Sequence, residues 1–214
     1  MYGIHFFVSL CSFCVADYAL NVTGLQGVYY AIHTIHNAFI VYSTYSEVIE
    51  ALMYFETIGN TPPNYYAAEL VFALHIYHCV MYWRKLRRDD WLHHVLMIAV
   101  ALPIGIYIPS GKLLGFSLFF TTGLPGGIDY ALLFLTRNGW LRQETEKRIN
   151  TFLATWVRAP GCVAQAALTC AFIGTHHEEN RFGSILAYLT AILNYWNGMY
   201  FAAQVIYDAG VRNI

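Results

Sequence analysis

The amino-acid sequence predicts an all-α membrane protein, a polytopic bundle of about seven transmembrane helices. Three observations predict this fold class. Of the 214 residues, 57% are hydrophobic and only 12% are charged, and the mean hydropathy is +0.44. Soluble domains contain about 25% charged residues, so the composition argues against a soluble fold. The third observation is that the chain divides into apolar runs of the length that crosses a bilayer as a helix, about 20 residues.

Seven such runs follow one another along the chain with short loops between them. The second run continues as an amphipathic stretch to about residue 58, and the sequence from Gly59 to Asn64, with its Pro-Pro pair, predicts a loop. Six spans are the alternative, with the first run lying in the membrane interface or forming a hairpin. The runs cover residues 2–20, 25–44, 65–83, 91–109, 113–136, 149–174 and 182–206.

The positions of the basic residues test this arrangement and give an orientation. With seven spans, nine of the 12 basic residues fall on one side of the membrane, two on the other (Lys112 and Arg181), and Arg158 within a span. Basic loops mark the inner side, which predicts an outside N-terminus and an inside C-terminus, in the endoplasmic reticulum or an organelle inner membrane. The formal net charge of -1 argues against nucleic acid as a partner.

Ionisable side chains within the predicted spans are candidates for function. A charge at the bilayer centre costs about 2.5–3.5 kcal/mol, so each needs a partner or a role. The four such residues besides histidine are Asp17, Glu69, Asp129 and Arg158. Asp129 follows two glycines and Arg158 precedes Pro160, and residues of this kind mark close helix contacts or kinks. We expect Asp129 and Arg158 to form an ion pair between adjacent helices.

Six of the nine histidines fall in the second to fourth predicted spans. They form the pairs His33 and His36, His75 and His78, and His93 and His94. The first two pairs have a spacing of three residues, which places both members on one helix face. A single intramembrane histidine ordinarily bonds neighbouring helices. Six together leave two chemical alternatives open: acid–base work on a lipid by His93 or His94, and metal or haem ligation.

Five segments also carry a family resemblance by their order and spacing. They are Asp89 to Leu96 (DDWLHHVL), Ala31 to Ala38 (AIHTIHNA), Tyr65 to Trp83 with Glu69, Thr155 to Arg158 (TWVR) and Leu193 to Trp196 (LNYW). Together they resemble TLC-domain proteins, a family that includes ceramide synthases and translocon-associated membrane proteins. The resemblance covers about residues 25–206.

This resemblance implies a six-helix bundle around a central lipid-accessible cavity. The N-terminal helix would occupy residues 1–24, the TLC-like domain residues 25–206, and a short tail residues 207–214. In ceramide synthases the family transfers an acyl group, and its double histidine matches His93 and His94. The family's paired-aspartate motif has no counterpart here, because residues 115–129 contain only Asp129. This departure argues against acyltransferase activity.

We therefore expect a protein that binds or senses lipid in an intrabundle cavity without catalysis. A role as an accessory subunit of a larger membrane complex is compatible with this expectation. One alternative is an acyl-lipid-modifying enzyme that uses His93 and His94, and another is a haem- or metal-binding protein. Bound lipid is the expected ligand, and no metal ligand set or cofactor is assigned. The remaining polar residues expected to contact lipid or lie within the bundle are His36, Glu69, His75, His78, Asp129 and Arg158.

Overall fold

The chain forms a bundle of helices, which confirms the predicted all-α fold class. The computed structural model describes residues 3–60, 62–108, 111–175 and 181–211, and contains no strand within these ranges. Seven continuous helices account for most of them. Four are regular α-helices: α1 (Ile4–Val22), α2 (Val28–Met53), α3 (Tyr65–Tyr82) and α7 (Arg181–Val211). A 3₁₀ helix at Phe55–Asn60 follows α2, where the sequence predicts its amphipathic continuation.

The three middle helices each contain one π-helical turn between two α-helical segments. Helix α4 consists of Arg88–Leu96, the π turn Met97–Ala101 and Leu102–Tyr107. Helix α5 consists of Leu113–Leu118, the π turn Phe119–Gly123 and Leu124–Arg137. Helix α6 consists of Gln143–Leu153, the π turn Ala154–Arg158 and Ala159–Thr175.

A proline explains the position of each π turn. Pro103, Pro125 and Pro160 each stand two residues after the last residue of a π turn. Proline has no backbone N–H, and its ring clashes with the carbonyl group four residues earlier. That carbonyl lies inside the π turn in all three helices, and the wider turn relieves the clash. The helices therefore continue through their prolines instead of ending there.

Four helices in the described ranges are long and apolar enough to cross a membrane. These segments are Ile4–Val22, Asp90–Tyr107, Leu113–Arg137 and Gln143–Gly174. The first is one uninterrupted helix, so the alternative of an N-terminal hairpin is wrong. A helix satisfies its backbone hydrogen bonds internally, so it can cross a bilayer when its side chains are apolar, as they are in these segments.

Contacts between loops and helix ends show that the bundle has two distinct ends. At one end, Asn138 after α5 exchanges hydrogen bonds of 3.1 and 3.0 Å with the backbone of Gln26 before α2. Lys147 near the start of α6 pairs with Asp208 near the end of α7 at 2.8 Å. At the other end, Lys112 before α5 pairs with Glu50 of α2. The α1–α2 and α5–α6 connections and the end of α7, which were predicted to share a side, thus meet at one end, which we call the basic end. Tyr82 at the end of α3 lies at this end too, because it bonds Asp17 of α1 and packs on Tyr29 of α2.

Candidate functional site: a histidine cluster beside a cavity

Five histidine rings gather between α2, α3 and α4. The ring centroids of His33 and His78 are 4.3 Å apart, and those of His78 and His94 are 5.1 Å apart. His75 lies 5.4 Å from His93 and 5.3 Å from His94. The structure therefore brings five of the six predicted histidines into one continuous group, which we call the histidine cluster.

Helical spacing explains how α3 and α4 place four histidines in this cluster. His75 and His78 are three residues apart on α3, so both point from the same face and both reach His94. His93 and His94 lie in the second turn of α4, which starts at Arg88. His36 does not join the cluster: its Nδ1 lies 2.7 Å from Oδ1 of Asn37, and its ring packs against Phe13.

Hydrogen bonds fix the tautomers of two cluster histidines. Nδ1 of His33 lies 2.8 Å from the carbonyl oxygen of Tyr29, and Nδ1 of His75 lies 2.8 Å from that of Val71. A carbonyl oxygen only accepts, so Nδ1 must carry the hydrogen. In a neutral ring, Nε2 is then the nitrogen with a free lone pair. For both residues the acceptor belongs to the same helix, one turn earlier.

Two other cluster nitrogens are buried without a hydrogen bond. They are Nε2 of His78 and Nδ1 of His94, and neither has a partner within the described part of the chain. Buried polar atoms are normally paired, so both represent unused bonding capacity. Three of the rings, those of His75, His93 and His94, each offer a ligand atom within 4.8 Å of the others. These three could hold one metal ion.

A cavity of about 130 Å³ lies next to the cluster, between α4, α5, α6 and α7. Most of its wall is aliphatic. The residues Leu96, Met97, Leu113, Leu114, Leu118 and Leu193 are among those that line it. His93 also lines the cavity, so one side chain belongs to both the cluster and the cavity wall. The cavity and the cluster together form the candidate site.

Polar side chains line one part of this cavity. Ser117 of α5 donates a hydrogen bond of 2.8 Å to Oδ1 of Asn194 on α7. Gln165 donates from Nε2 to the hydroxyl of Thr169 at 3.0 Å, one turn further along α6. Oε1 of Gln165 and Oδ1 of Asn197 are buried and lack a partner among the residues described. The sequence did not predict these residues as site residues, although amide side chains in the middle of apolar runs could have indicated Gln165, Asn194 and Asn197.

Arg158 has a structural partner that differs from the predicted one. Its Nη2 donates to the carbonyl oxygen of Thr121 at 2.9 Å. In an α-helix this carbonyl would accept a hydrogen bond from the backbone N–H of residue 125, but Pro125 has no N–H. The guanidinium of Arg158 supplies a donor in its place. The carboxyl group of Asp129 makes no ion pair with Arg158 in the described structure, and its Oδ1 is buried without a partner. The expected Asp129–Arg158 ion pair is therefore wrong.

Asp17 and Glu69 have complete hydrogen bonding away from the cavity. Asp17 accepts from the hydroxyl groups of Tyr77, at 2.6 Å, and Tyr82. Glu69 accepts from the backbone N–H groups of Gly3 and Phe6 at 3.0 and 3.1 Å. It caps the N-terminus of α1, where four N–H groups lack partners within the helix and the helix dipole favours an anion.

No protein-family model matches this chain, and no curated protein or solved structure is significantly similar to it. The resemblance to TLC-domain proteins therefore stays a prediction from the sequence motifs.

Proposed function

We propose that this protein is an integral membrane protein that binds a lipid inside its helix bundle without catalysis. The observation that carries this proposal is the cavity between α4, α5, α6 and α7. Three of these helices contain segments long and apolar enough to span a membrane. An apolar cavity with a few polar groups that fix orientation is the usual form of a small-molecule site.

The lining indicates what kind of lipid fits. Aliphatic side chains contact hydrocarbon, and a dry apolar cavity of about 150 Å³ is enough to bind benzene. The volume of about 130 Å³ thus suits a segment of a hydrocarbon chain or a ring. The unpaired oxygens of Gln165 and Asn197 accept hydrogen bonds. The matching ligand therefore carries a hydroxyl or N–H donor beside its hydrocarbon portion.

The membrane arrangement belongs to the same proposal. All seven helices cross the bilayer, and the basic end faces the inner side, of the endoplasmic reticulum or of an organelle, with the N-terminus outside. A TLC-like bundle is the architecture that the sequence motifs favour. A role as an accessory subunit of a membrane complex and the enzymatic alternative with His93 and His94 both stay predictions from the sequence.

A matched pair of substitutions tests lipid binding. Ala187 and Ala202 both lie on α7 and are 6% and 7% exposed, but only Ala187 lines the cavity. Ala187→Leu fills cavity space, whereas Ala202→Leu adds the same atoms elsewhere. We expect Ala187→Leu to weaken binding about tenfold, the effect of about 1.4 kcal/mol, and Ala202→Leu to leave it unchanged.

The measurement uses the purified full chain in lipid nanodiscs and a long-chain alcohol that carries a photoreactive diazirine. Labelled peptides are located by mass spectrometry, and concentration dependence gives the affinity. Labels on the cavity-lining segments of α4 to α7 support the proposal. Labels confined to the outer surface of the bundle, or equal affinity of the two variants, would overturn it.

A further inference from the structure

We propose that His75, His93 and His94 form a binding site for one divalent transition-metal ion of the zinc type. Imidazole is a preferred ligand for zinc, copper and iron. Zinc sites with three protein ligands keep a fourth position open for water or substrate, as in enzymes whose zinc is held by three histidines. The site goes beyond the proposed lipid binding and does not depend on it.

The relative placement of the three rings carries the argument. Their centroids form a nearly equilateral triangle with sides of 5.3, 5.4 and 5.5 Å. A metal–nitrogen bond of about 2.0–2.1 Å places each ring centroid about 3.2 Å from the ion, and tetrahedral angles then separate the centroids by about 5.2 Å. The observed triangle is within a few tenths of an ångström of this separation.

The ligand atoms need only a small further convergence. They lie within 4.8 Å of one another, whereas nitrogens bound to one tetrahedral ion are about 3.3 Å apart. His93 is the exposed member of the three, while His75 and His94 are buried. The exposed ring has the space to rotate toward the two buried ones, which would bring the nitrogens together around an ion.

The surroundings of His75 suit a metal ligand. A ligating histidine almost always donates its other ring N–H to a carbonyl or carboxylate oxygen, which fixes the ring orientation. Nδ1 of His75 makes this bond to the carbonyl oxygen of Val71 at 2.8 Å. Nε2 of His75 is therefore the nitrogen whose lone pair is available to an ion.

An interhelical hydrogen-bond network is the ordinary role for such histidines, and the structure does not support it here. Nδ1 of His94 and Nε2 of the neighbouring His78 are buried and have no hydrogen-bond partner in the ranges that the structure describes. If these rings served only to join helices by hydrogen bonds, both nitrogens would have hydrogen-bond partners, because an unpaired buried polar atom costs about 1–3 kcal/mol.

The cluster lies near the basic end of the bundle. His93 is five residues after the start of α4 and His75 is seven residues before the end of α3, which correspond to about 8 and 11 Å of helix. Both distances are measured from the basic end. His93 also lines the cavity, so the open coordination position can take an oxygen atom of a bound lipid. This last point alone rests on the proposed function.

Cobalt(II) is the probe that tests the site, because it replaces zinc and its tetrahedral complexes absorb strongly in the visible range. The full chain is purified in mild detergent, freed of metal with a chelator and titrated with Co²⁺. We expect one equivalent to bind, with a tetrahedral spectrum that Zn²⁺ abolishes. Each of His75→Gln, His93→Gln and His94→Gln should weaken binding by at least about 100-fold, more than loss of a ligand's hydrogen-bond partner costs.

Two control variants separate the cluster from histidines in general. His36→Gln alters a buried histidine outside the cluster, and His5→Gln alters an exposed one; both should bind Co²⁺ as the wild type does. All variants are compared at matched helix content by circular dichroism. Absence of stoichiometric binding by the wild type, or equal affinity of cluster and control variants, would overturn the metal site. Ala187→Leu should bind Co²⁺ normally, so failure of the lipid proposal stays distinguishable.

Discussion

The acidic residues of α1 and α3 differ from the polar residues of the candidate site, the histidine cluster and the cavity, in how completely they are bonded. Asp17 is only 4% exposed, and both of its oxygens accept hydrogen bonds, from Tyr77, Tyr82 and Asn21. Glu69 accepts two N–H groups of α1. By contrast, buried atoms of His78, His94, Gln165 and Asn197 have no partner among the described residues.

This difference separates two reasons for a polar group to lie in a membrane helix. A group whose bonds are complete holds helices together, and nothing further is needed to explain it. A group whose bonds are incomplete, and which faces an opening, is available to a ligand. Charge and position in the sequence suggested that Glu69 belongs with the lipid-contacting residues, whereas its contacts assign it to the first group.

The largest expected effect is on Asp17. Asp17→Ala leaves the hydroxyl groups of buried Tyr77 and half-buried Tyr82, and the side chain of Asn21, without their shared carboxylate acceptor. Hydrogen bonds to a charged group contribute about 1.5–3 kcal/mol each. We expect the free energy of unfolding to fall by about 3 kcal/mol in equilibrium unfolding in mixed micelles. Asp17→Asn keeps an acceptor oxygen and should lose less than half as much. Equal losses for the two variants would show that the tyrosine bonds are unimportant.

A smaller effect is expected at Glu69. Removal of the cap by Glu69→Ala should cost about 0.5–2 kcal/mol, the range for loss of an N-terminal helix cap. The loss should be local, because only the first turn of α1 loses its partners. Hydrogen exchange at the backbone amides of Gly3 and Phe6 measures this directly. Glu69→Gln, which keeps one acceptor oxygen, serves as the control. Unchanged exchange in Glu69→Ala would remove the capping role.

The smallest effect is expected at Gln165, on the other side of the comparison. Gln165→Leu removes an amide whose oxygen has no partner among the described residues, together with the one hydrogen bond seen for it there, to Thr169. Replacement of the amide by an apolar side chain of similar size also removes the desolvation cost of its unpaired buried oxygen, which offsets the lost bond. We expect a change in unfolding free energy below about 1 kcal/mol, but weaker labelling by the alcohol probe. A loss as large as that of Asp17→Ala would mean that Gln165 is structural.

The sequence was sufficient for the fold class and for the approximate helix positions. The predicted runs at 2–20 and 65–83, for instance, correspond to Ile4–Val22 and Tyr65–Tyr82. Apolar length and loop signals are local properties, so the sequence records them directly. The π turns were not predicted, although the three prolines were visible within apolar runs. A proline alone does not say whether a helix will kink, end or widen.

The candidate site was only partly predictable. The three-residue spacing of His75 and His78 placed both on one face, and the structure confirms that they meet His94. The partners of Asp17 and Arg158 depend on how each helix is rotated against its neighbours, which a single sequence does not specify. The cavity was unpredictable for the same reason, because its wall combines residues from four helices whose relative rotation a sequence does not specify.

The π turns have a consequence for the angular register of α4, α5 and α6. An α-helix advances about 100° per residue, and a π turn takes up one extra residue, so the faces before and after it are out of phase by about 100°. Each of these helices therefore consists of two halves whose faces are offset by a fixed angle. A helical wheel drawn through Pro103, Pro125 or Pro160 would therefore assign residues to the wrong side. Deletion of one residue within a turn would realign the halves and rotate one of them out of its packing.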